Sequence, residues 1–463
     1  MLRIRKMVAA FAATALIGLG ACSSDDKAEG EQTGEDVTIT VWSLESLPDR
    51  MKVTEDIIDG FTEKTGIEVE LVGVEEAQVP QLLQSSGLSG DLPDVVAAMP
   101  LGLIHEMNNL EMVDTDAVAS IIEDLDPATF QEQAVELLKA DDKHIGVPAD
   151  GWSQILLYRT DHFEEAGLNP PTDFDSLAAA AQKLTEGDHF GITLATDPAD
   201  VFTQQTFEAL ALGNNCQVVD ESGAATINSA ECLSVFEVYN TLGENSPAGA
   251  QTVDSTRAAY FNGSASMVMW STYILDELAG LRDDALPSCD ECKDDPGFLA
   301  EHTGVVVDIA GPAGGSATGS YGEITGFVPV KDGQAEATEQ FIEYMMTEGY
   351  EQWLSMAPEG KFPMRTGTAD EPEKYSDAWA QMDTGVDRKA PLGDYYSEDV
   401  IDTLTAMGEN VNRWALPQGQ GSLLGSLTAE LPLSKAVSDM VAGSLTPQQA
   451  ADEVAAAVED MAK

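Results

Sequence analysis

A chain of 463 residues, 43% of them hydrophobic and 22% charged, is long enough for two or three domains and too apolar to remain unfolded over most of its length. Against 81 acidic residues stand 23 Lys and Arg, for a net charge of −58 and a pI near 4.1; such a field repels phosphate backbones and anionic headgroups and excludes nucleic acid as a partner. The acids are spread along the chain, so they describe a surface rather than a site, and they read as adaptation to salty or alkaline surroundings.

At the N-terminus, Arg3, Arg5 and Lys6 precede the apolar run Val8 to Leu19 and the small residues Gly20-Ala21. This is the layout of a secretory signal, too short for a permanent membrane span. Leu19-Gly20-Ala21-Cys22 resembles the bacterial lipobox, in which cleavage leaves a lipid-modified cysteine, so Cys22 is the expected anchor at the outer face of the cell membrane. Removing residues 1–21 takes away three positive charges and would leave −61. Residues 22–36 are polar and free of aromatics, a flexible tether.

The body reads as alternating strands and helices. Val37, Ile39 and Val41 alternate with Thr38, Thr40 and Trp42 as in a strand. Val53, Ile57, Ile58 and Phe61 recur at helical spacing, with Gly66 placed to end the helix. Val69, Leu71 and Val72 suggest a second strand, and Asp94-Val95-Val96-Ala97 a buried third. Strand, helix and strand in succession imply an α/β fold with mostly parallel sheets covered by helices. The alternation restarts after Pro148: a helix carrying Phe174, Leu177, Ala178, Ala181 and Leu184 on one face, then a strand candidate at Gly191 to Leu194. Thr446, Pro447 and Gln449 form a capping-box start for a final helix whose apolar face is Ala450, Val454, Ala457, Val458 and Met461. The one low-complexity stretch is Gly311 to Gly322.

Beyond Cys22 four cysteines remain, and an exported chain favours disulfides over thiols. Four cysteines allow three pairings; the local ones, Cys216–Cys232 and Cys289–Cys292, are expected. The second could also be a redox motif or half a zinc site, but Asp290 and Glu291 raise thiol pKa values and no further cysteine pair is left to complete a metal centre.

Several segments together resemble the cluster-1 extracellular solute-binding proteins of ABC importers, the carbohydrate-binding group related to maltose-binding protein. Ile145-Gly146-Val147-Pro148 through Leu156-Leu157-Tyr158-Arg159, then Phe163 to Leu168 and Pro170-Pro171-Thr172, is similar to that family's middle motif. Leu92-Pro93-Asp94-Val95-Val96 resembles its Pro-Asp-strand element. Phe261-Asn262-Gly263-Ser264-Ala265-Ser266-Met267 resembles its Phe-x-x-Gly-x-x-x-Met pattern, one residue short before the glycine. The resemblance implies two α/β lobes closing over a ligand, with residues 37–147 and 303–345 in the first lobe and 148–302 and 346–463 in the second. It further implies a monomeric, cofactor-free receptor that passes a carbohydrate, a neutral oligosaccharide or glycoside, to importer permease subunits.

Sugar sites combine aromatic faces with carboxylates, amides or Arg for the hydroxyls, and open α/β sheets bind ligands where strands end. Trp42-Ser43-Leu44-Glu45 follows the first strand, with Asp49 and Arg50 close behind; Trp42 is a cleft residue or the strand's last core side chain. Met99 ends the third strand, where Met often fills core. Asp150-Gly151-Trp152 lies where the family's chain crosses between lobes, Trp152 at a position that contacts ligand in relatives. Trp270-Ser271-Thr272-Tyr273 matches the segment that supplies relatives with a stacking ring, from Trp270 or Tyr273. Glu323 lies on a segment that returns to the cleft in relatives, or is a surface acid. Arg365, near the family's second-lobe rim, binds ligand or pairs with an acid, and Trp414 is read as packing.

The other function classes have weaker support. None of the five His sits in a tight metal-binding spacing, and no nucleophile elbow or phosphate loop is present. With so many acids, some carboxylate pair will always lie close, so a polysaccharide-degrading lipoprotein gains no support from them. A receptor for quaternary ammonium compounds would suit the negative charge through an aromatic cage, but the motifs match the sugar-binding group.

Overall fold

The computed structural model describes residues 37–314 and 320–461. The leader 1–21, the tether 22–36 with Cys22, and residues 315–319 of the glycine-rich loop lie outside the described residues. Among the described residues nine strands make one mixed sheet: β1 (Thr38–Ser43), β2 (Glu68–Gly73), β3 (Val95–Pro100), β4 (Val147–Arg159), β5 (Met267–Ser271), β6 (Thr303–Val306), β7 (Ser320–Pro329), β8 (Phe362–Pro363) and β9 (Val411–Asn412). The helices that shape the two halves are α1 (Pro48–Thr65), α2 (Leu101–Asn109), α3 (Phe174–Leu184), α4 (Val201–Leu212), α5 (Ala230–Gly243), α6 (Leu275–Leu278), α7 (Ala335–Met345), α8 (Tyr350–Leu354), α9 (Pro432–Val441) and α10 (Pro447–Met461).

Local sequence explains most of these elements. In β1 the alternation sends Ile39 and Val41 fully into the core. Helix α1 starts at Pro48, buries Ile57, Ile58 and Phe61, and stops at Gly66, whose φ of 76° is the left-handed cap that glycine adopts without strain. Asp173 and Ser176 form a reciprocal capping box on α3. Thr446 and Gln449 do the same for α10, each side chain meeting the other's backbone N–H. The strand expected at Gly191 to Leu194 is reduced to one bridge, Thr193 to Val268.

Strand β4 is the structural axis. Its first part, Val147 to Ser153, pairs with β7, while Gln154 to Arg159 pairs with β5 and β6. One thirteen-residue strand thus belongs to both halves. The first half holds β2-β1-β3, parallel to one another as expected, with β7 antiparallel beside β3. The pairings through β4 are all antiparallel, so the sheet is mixed rather than mostly parallel. Gly151 is required where β4 meets β7: a Cβ there would stand 2.6 Å from the Glu323 carbonyl oxygen.

Two stretches pack with the half opposite to the sequence-based assignment. Thr303 to Val306 pairs with Leu156 to Arg159 and so lies in the second half. Helices α7 and α8 lean on α1 in the first half. There the Tyr350 hydroxyl donates to the Ala149 carbonyl, and Arg365 reaches carbonyls at Leu125 and Met346. Helices α4, α5, α9 and α10 build the second half around Phe207, Phe236 and Tyr239. Cys216 is bonded to Cys232 and Cys289 to Cys292, with Cα atoms 4.7 and 5.0 Å apart. Among the described residues no helix is long and apolar enough to cross a membrane, and no group of three or more His, Cys, Asp or Glu is placed to hold a metal.

Candidate functional site

Where the halves meet, three aromatic rings lie together. Trp152 on β4 stands with its ring centroid 6.2 Å from Tyr273 and 5.7 Å from Tyr321. Tyr273 comes from the 3-10 turn Thr272–Ile274 that follows β5 in the second half, and it lies against Gly360, in the turn Pro358–Gly360 before β8. Any side chain at 360 would occupy the position of the tyrosine ring. Trp152 and Tyr273 are half-buried, whereas Tyr321 is fully enclosed.

Two charged clusters flank the rings. In the first, Lys361 is buried between Glu45, at 2.5 Å, and Asp150, at 3.2 Å; Arg50 closes on the other oxygen of Glu45 at 2.6 Å. Burial alone would raise the Glu45 carboxyl, but Lys361 and Arg50 overcome it and hold the group down at about 2. Asp150 takes an indole N–H from Trp353 at 2.6 Å; burial pushes its carboxyl upward despite Lys361. Lys361 is shared between the two acids, and its own ammonium is held well above the usual lysine value by Asp150 and Glu45, against the effect of burial. Tyr273 stands within the field of these groups, its hydroxyl pushed up to about 12 by burial against the pull of Lys361.

The second cluster links the halves through side chains. Glu323 on β7 accepts the backbone N–H of Leu101, the first residue of α2, at 2.9 Å, and its other oxygen takes Arg413. Carboxylates are favoured at a helix N-terminus, where free N–H groups and the helix dipole point outward. Arg413 lies over the Tyr321 ring at 4.7 Å and donates to Glu208 of α4 at 3.1 Å. Glu208 also accepts the Trp414 backbone N–H at 2.7 Å. Burial raises Glu208 in spite of Arg413, while the surrounding acids and Tyr321 hold the guanidinium firmly charged against burial.

The geometry sorts the sequence-derived candidates. Glu45, Asp150, Trp152, Tyr273 and Glu323 come together around the rings and the two clusters. Trp42 is 8% exposed and Met99 not at all, so both fill core at the ends of their strands. Ser43 and Ser271 are buried at strand ends, and Asp49 is exposed on the first turn of α1. Trp270 is a packing residue rather than the accessible ring: it is 6% exposed, donates its indole N–H to Val253 O at 3.1 Å, and is covered by Phe202. Among the described residues Arg365 forms no ion pair with an acid; besides the two carbonyls it bonds Thr129 Oγ1, pinning β8's end to the first half. Trp414 packs on Phe207 with its N–H on the Cys216 carbonyl.

Sequence reading missed Lys361 and Arg413. The signal available was scarcity: with 23 cations among 81 acids, a cation flanked by apolar residues, as in Gly360-Lys361-Phe362 or Arg413-Trp414, marks a place where charge is compensated inside.

Residues 56–384 match the bacterial extracellular solute-binding protein family. YcjN of Escherichia coli, a putative ABC transporter periplasmic-binding protein, is 26% identical over 343 residues, 72% of this chain and 74% of that one. Among solved structures, the cyclic α-maltosyl-1,6-maltose binding protein of Arthrobacter globiformis aligns with a TM-score of 0.69 at 16% identity, over 92% of this chain and 99% of its own. A sugar transporter of Arthrobacter chlorophenolicus with bound laminaribiose aligns at 0.66 and 16%, over 92% and 100%. These likenesses identify the two-lobe binding-protein fold. Proteins of this kind are binding receptors of ABC importers, not enzymes. The chain belongs to the bacterial extracellular solute-binding protein family.

Proposed function

We propose that this protein is a receptor, lipid-anchored at Cys22 on the outer face of the cell membrane, that binds a neutral oligosaccharide or glycoside between its lobes and delivers it to the permease of an ABC importer. The observation that carries the reading is the half-buried ring pair Trp152–Tyr273 beside carboxylates that are already ion-paired. A pyranose offers an apolar C–H face and a rim of hydroxyls, and it needs a ring for one and fixed acceptors for the other. Glu45 and Glu323 are held in place by Lys361, Arg50 and Arg413, and each carboxylate keeps lone pairs free for hydroxyl donors. Holding those acids in advance lowers the ordering cost of binding.

The solved neighbours support a sugar over other solutes: their ligands include cyclic α-maltosyl-1,6-maltose and laminaribiose. In this reading the first lobe is residues 37–147 together with the later stretch carrying α7, α8 and β8, and closure hinges on β4, β7 and the chain at β9. The surface acidity belongs to a high-salt or alkaline habitat. A thermal-shift screen of the mature chain over neutral oligosaccharides tests the reading. A ligand at a hundredfold excess over Kd stabilises by about 2.7 kcal/mol. Stabilisation by a neutral glycan without product formation is expected, and stabilisation only by quaternary ammonium compounds would replace the sugar with a cation.

A further inference from the structure

Behind Tyr273 the contact between the halves contains an acid that has no charge partner. Asp276, on α6 three residues after Tyr273, is fully buried, and neither of its carboxylate oxygens finds a cation or hydroxyl among the described residues. Across the seam, on the turn that also holds Gly360 and Lys361, lies Glu359, itself 5% exposed and bonded by the Thr384 hydroxyl. Glu359 is the charge that acts most strongly on Asp276. The two acids come from opposite halves: α6 follows β5, which pairs with the second part of β4, while Glu359 precedes β8, which pairs with Asp150 and Gly151 in the first part.

The cations nearby are occupied. Arg282 faces both acids, but it is spent on Asp284, with both contacts at 3.2 Å. Arg257 pairs with Glu277, the neighbour of Asp276, at 2.7 Å. Arg50 acts on Glu359 but is bonded to Glu45. Tyr396, whose hydroxyl donates to the Leu275 carbonyl, lies in the field of Asp276 and brings no positive charge. An isolated charge is costly in such a place, and a carboxyl resolves the cost by keeping its proton.

Building on the receptor reading above, we propose that Asp276 and Glu359 form a proton-held latch across the seam, so that lobe closure and ligand affinity depend on pH. With a proton bound, the pair lets the turns of Tyr273 and Gly360 pack together; once both acids are ionised, two like charges repel inside the seam. The proton comes from solvent and returns to it, and no other bond changes. Burial and Glu359 push the Asp276 carboxyl up to about 8. An opened seam exposes that carboxyl to water and returns it to its ordinary value near 4. Between these limits the closed form holds a proton that the open form releases. Closure therefore weakens as pH rises, about tenfold per pH unit for one proton, and levels off above about pH 8.

The test compares the mature chain with Asp276→Asn, and with Glu359→Gln as a second variant should the first fail to fold, all in molar NaCl at pH 5.5 and pH 9. Small-angle scattering of the ligand-free protein reads the lobes, and titration with the glycan from the thermal-shift screen reads affinity. The parent is expected to expand at pH 9 and to bind at least tenfold more weakly, while Asp276→Asn keeps one radius and one Kd at both values and Glu359→Gln, in which burial still acts on Asp276, changes less than the parent. A variant whose radius changes with pH as the parent's does would overturn the latch. If no neutral glycan binds at any pH, the receptor reading falls, and the scattering still decides the latch by itself.

Discussion

Trp152 and Trp270 lie on neighbouring strands, β4 and β5, whose register pairs Ile155 with Trp270, yet their surroundings differ. Trp270 has Phe202 on its ring, Arg257 over it at 5.8 Å, and its indole N–H on a carbonyl. Trp152 is half-buried, with other aromatic rings around it and the charged clusters alongside. A large ring that is closed on all sides stabilises a fold, whereas one partly open between two lobes is available to a ligand. The residue type is shared, and the enclosure separates the roles.

Substitutions can break or sharpen that contrast. The largest loss of stability is expected at the enclosed position: Trp270→Ala should lose about 3–5 kcal/mol in denaturant unfolding, with binding by the remaining folded fraction unchanged. A comparable loss, about 3–5 kcal/mol, is expected for Lys361→Met, because buried Asp150 would lose its cation and Glu45 would keep only Arg50; a neutral outcome would mean that the cluster beside Trp152 is not electrostatically held. Trp152→Ala and Tyr273→Ala should unfold close to the parent and lose their effect in affinity instead.

A smaller effect belongs to the second half alone. His162 Nδ1 and His189 Nε2 both meet the buried Ser266 hydroxyl, at 2.9 and 2.8 Å. Burial, and then the charge of Arg159, hold both imidazoles below the usual value of 6.5. Below about pH 6.5 the unfolded chain binds protons that the folded one refuses, so stability should fall as pH drops through that value. A double His162→Gln, His189→Gln variant should lose that slope in melting curves, and a slope that persists would assign it elsewhere. The smallest and most diffuse effect is ionic: melting temperature should rise from low to molar NaCl as self-repulsion is screened, and a flat or falling curve would remove the case for adaptation to salt.

What was legible in the sequence was whatever local pattern dictates. Alternation gave β1, helical spacing and Gly66 gave α1, and Thr446 with Gln449 gave the start of α10. The family's segment order pointed to Trp152 as a cleft residue, and its ring lies beside Tyr273 and Tyr321. Partnerships between distant residues could not be read this way. Lys361 reaches Asp150 across 211 positions, and no local pattern announces such a contact. The choice between Trp270 and Tyr273 was illegible for a related reason. Strand β5 ends at Ser271 and turns into a 3-10 turn, and that turn carries Tyr273 to Gly360 while Trp270 stays in the layer beneath. Arg365 was misread because a cation in so acidic a chain suggests an acid or a ligand, whereas this one serves backbone carbonyls.

The central claim is that the open ring, and not the enclosed one, holds a sugar. Calorimetric titration of the parent, Trp152→Ala and Trp270→Phe with the glycan selected by thermal shift tests it directly; phenylalanine at 270 keeps enough of the ring to fold. An aromatic anchor at a binding centre commonly costs at least about 2 kcal/mol when cut to Ala, near thirtyfold in Kd. The account predicts that Trp152→Ala binds at least tenfold more weakly than the parent, while Trp270→Phe binds like it. Parent-like affinity in Trp152→Ala, or a loss confined to Trp270→Phe, would contradict it.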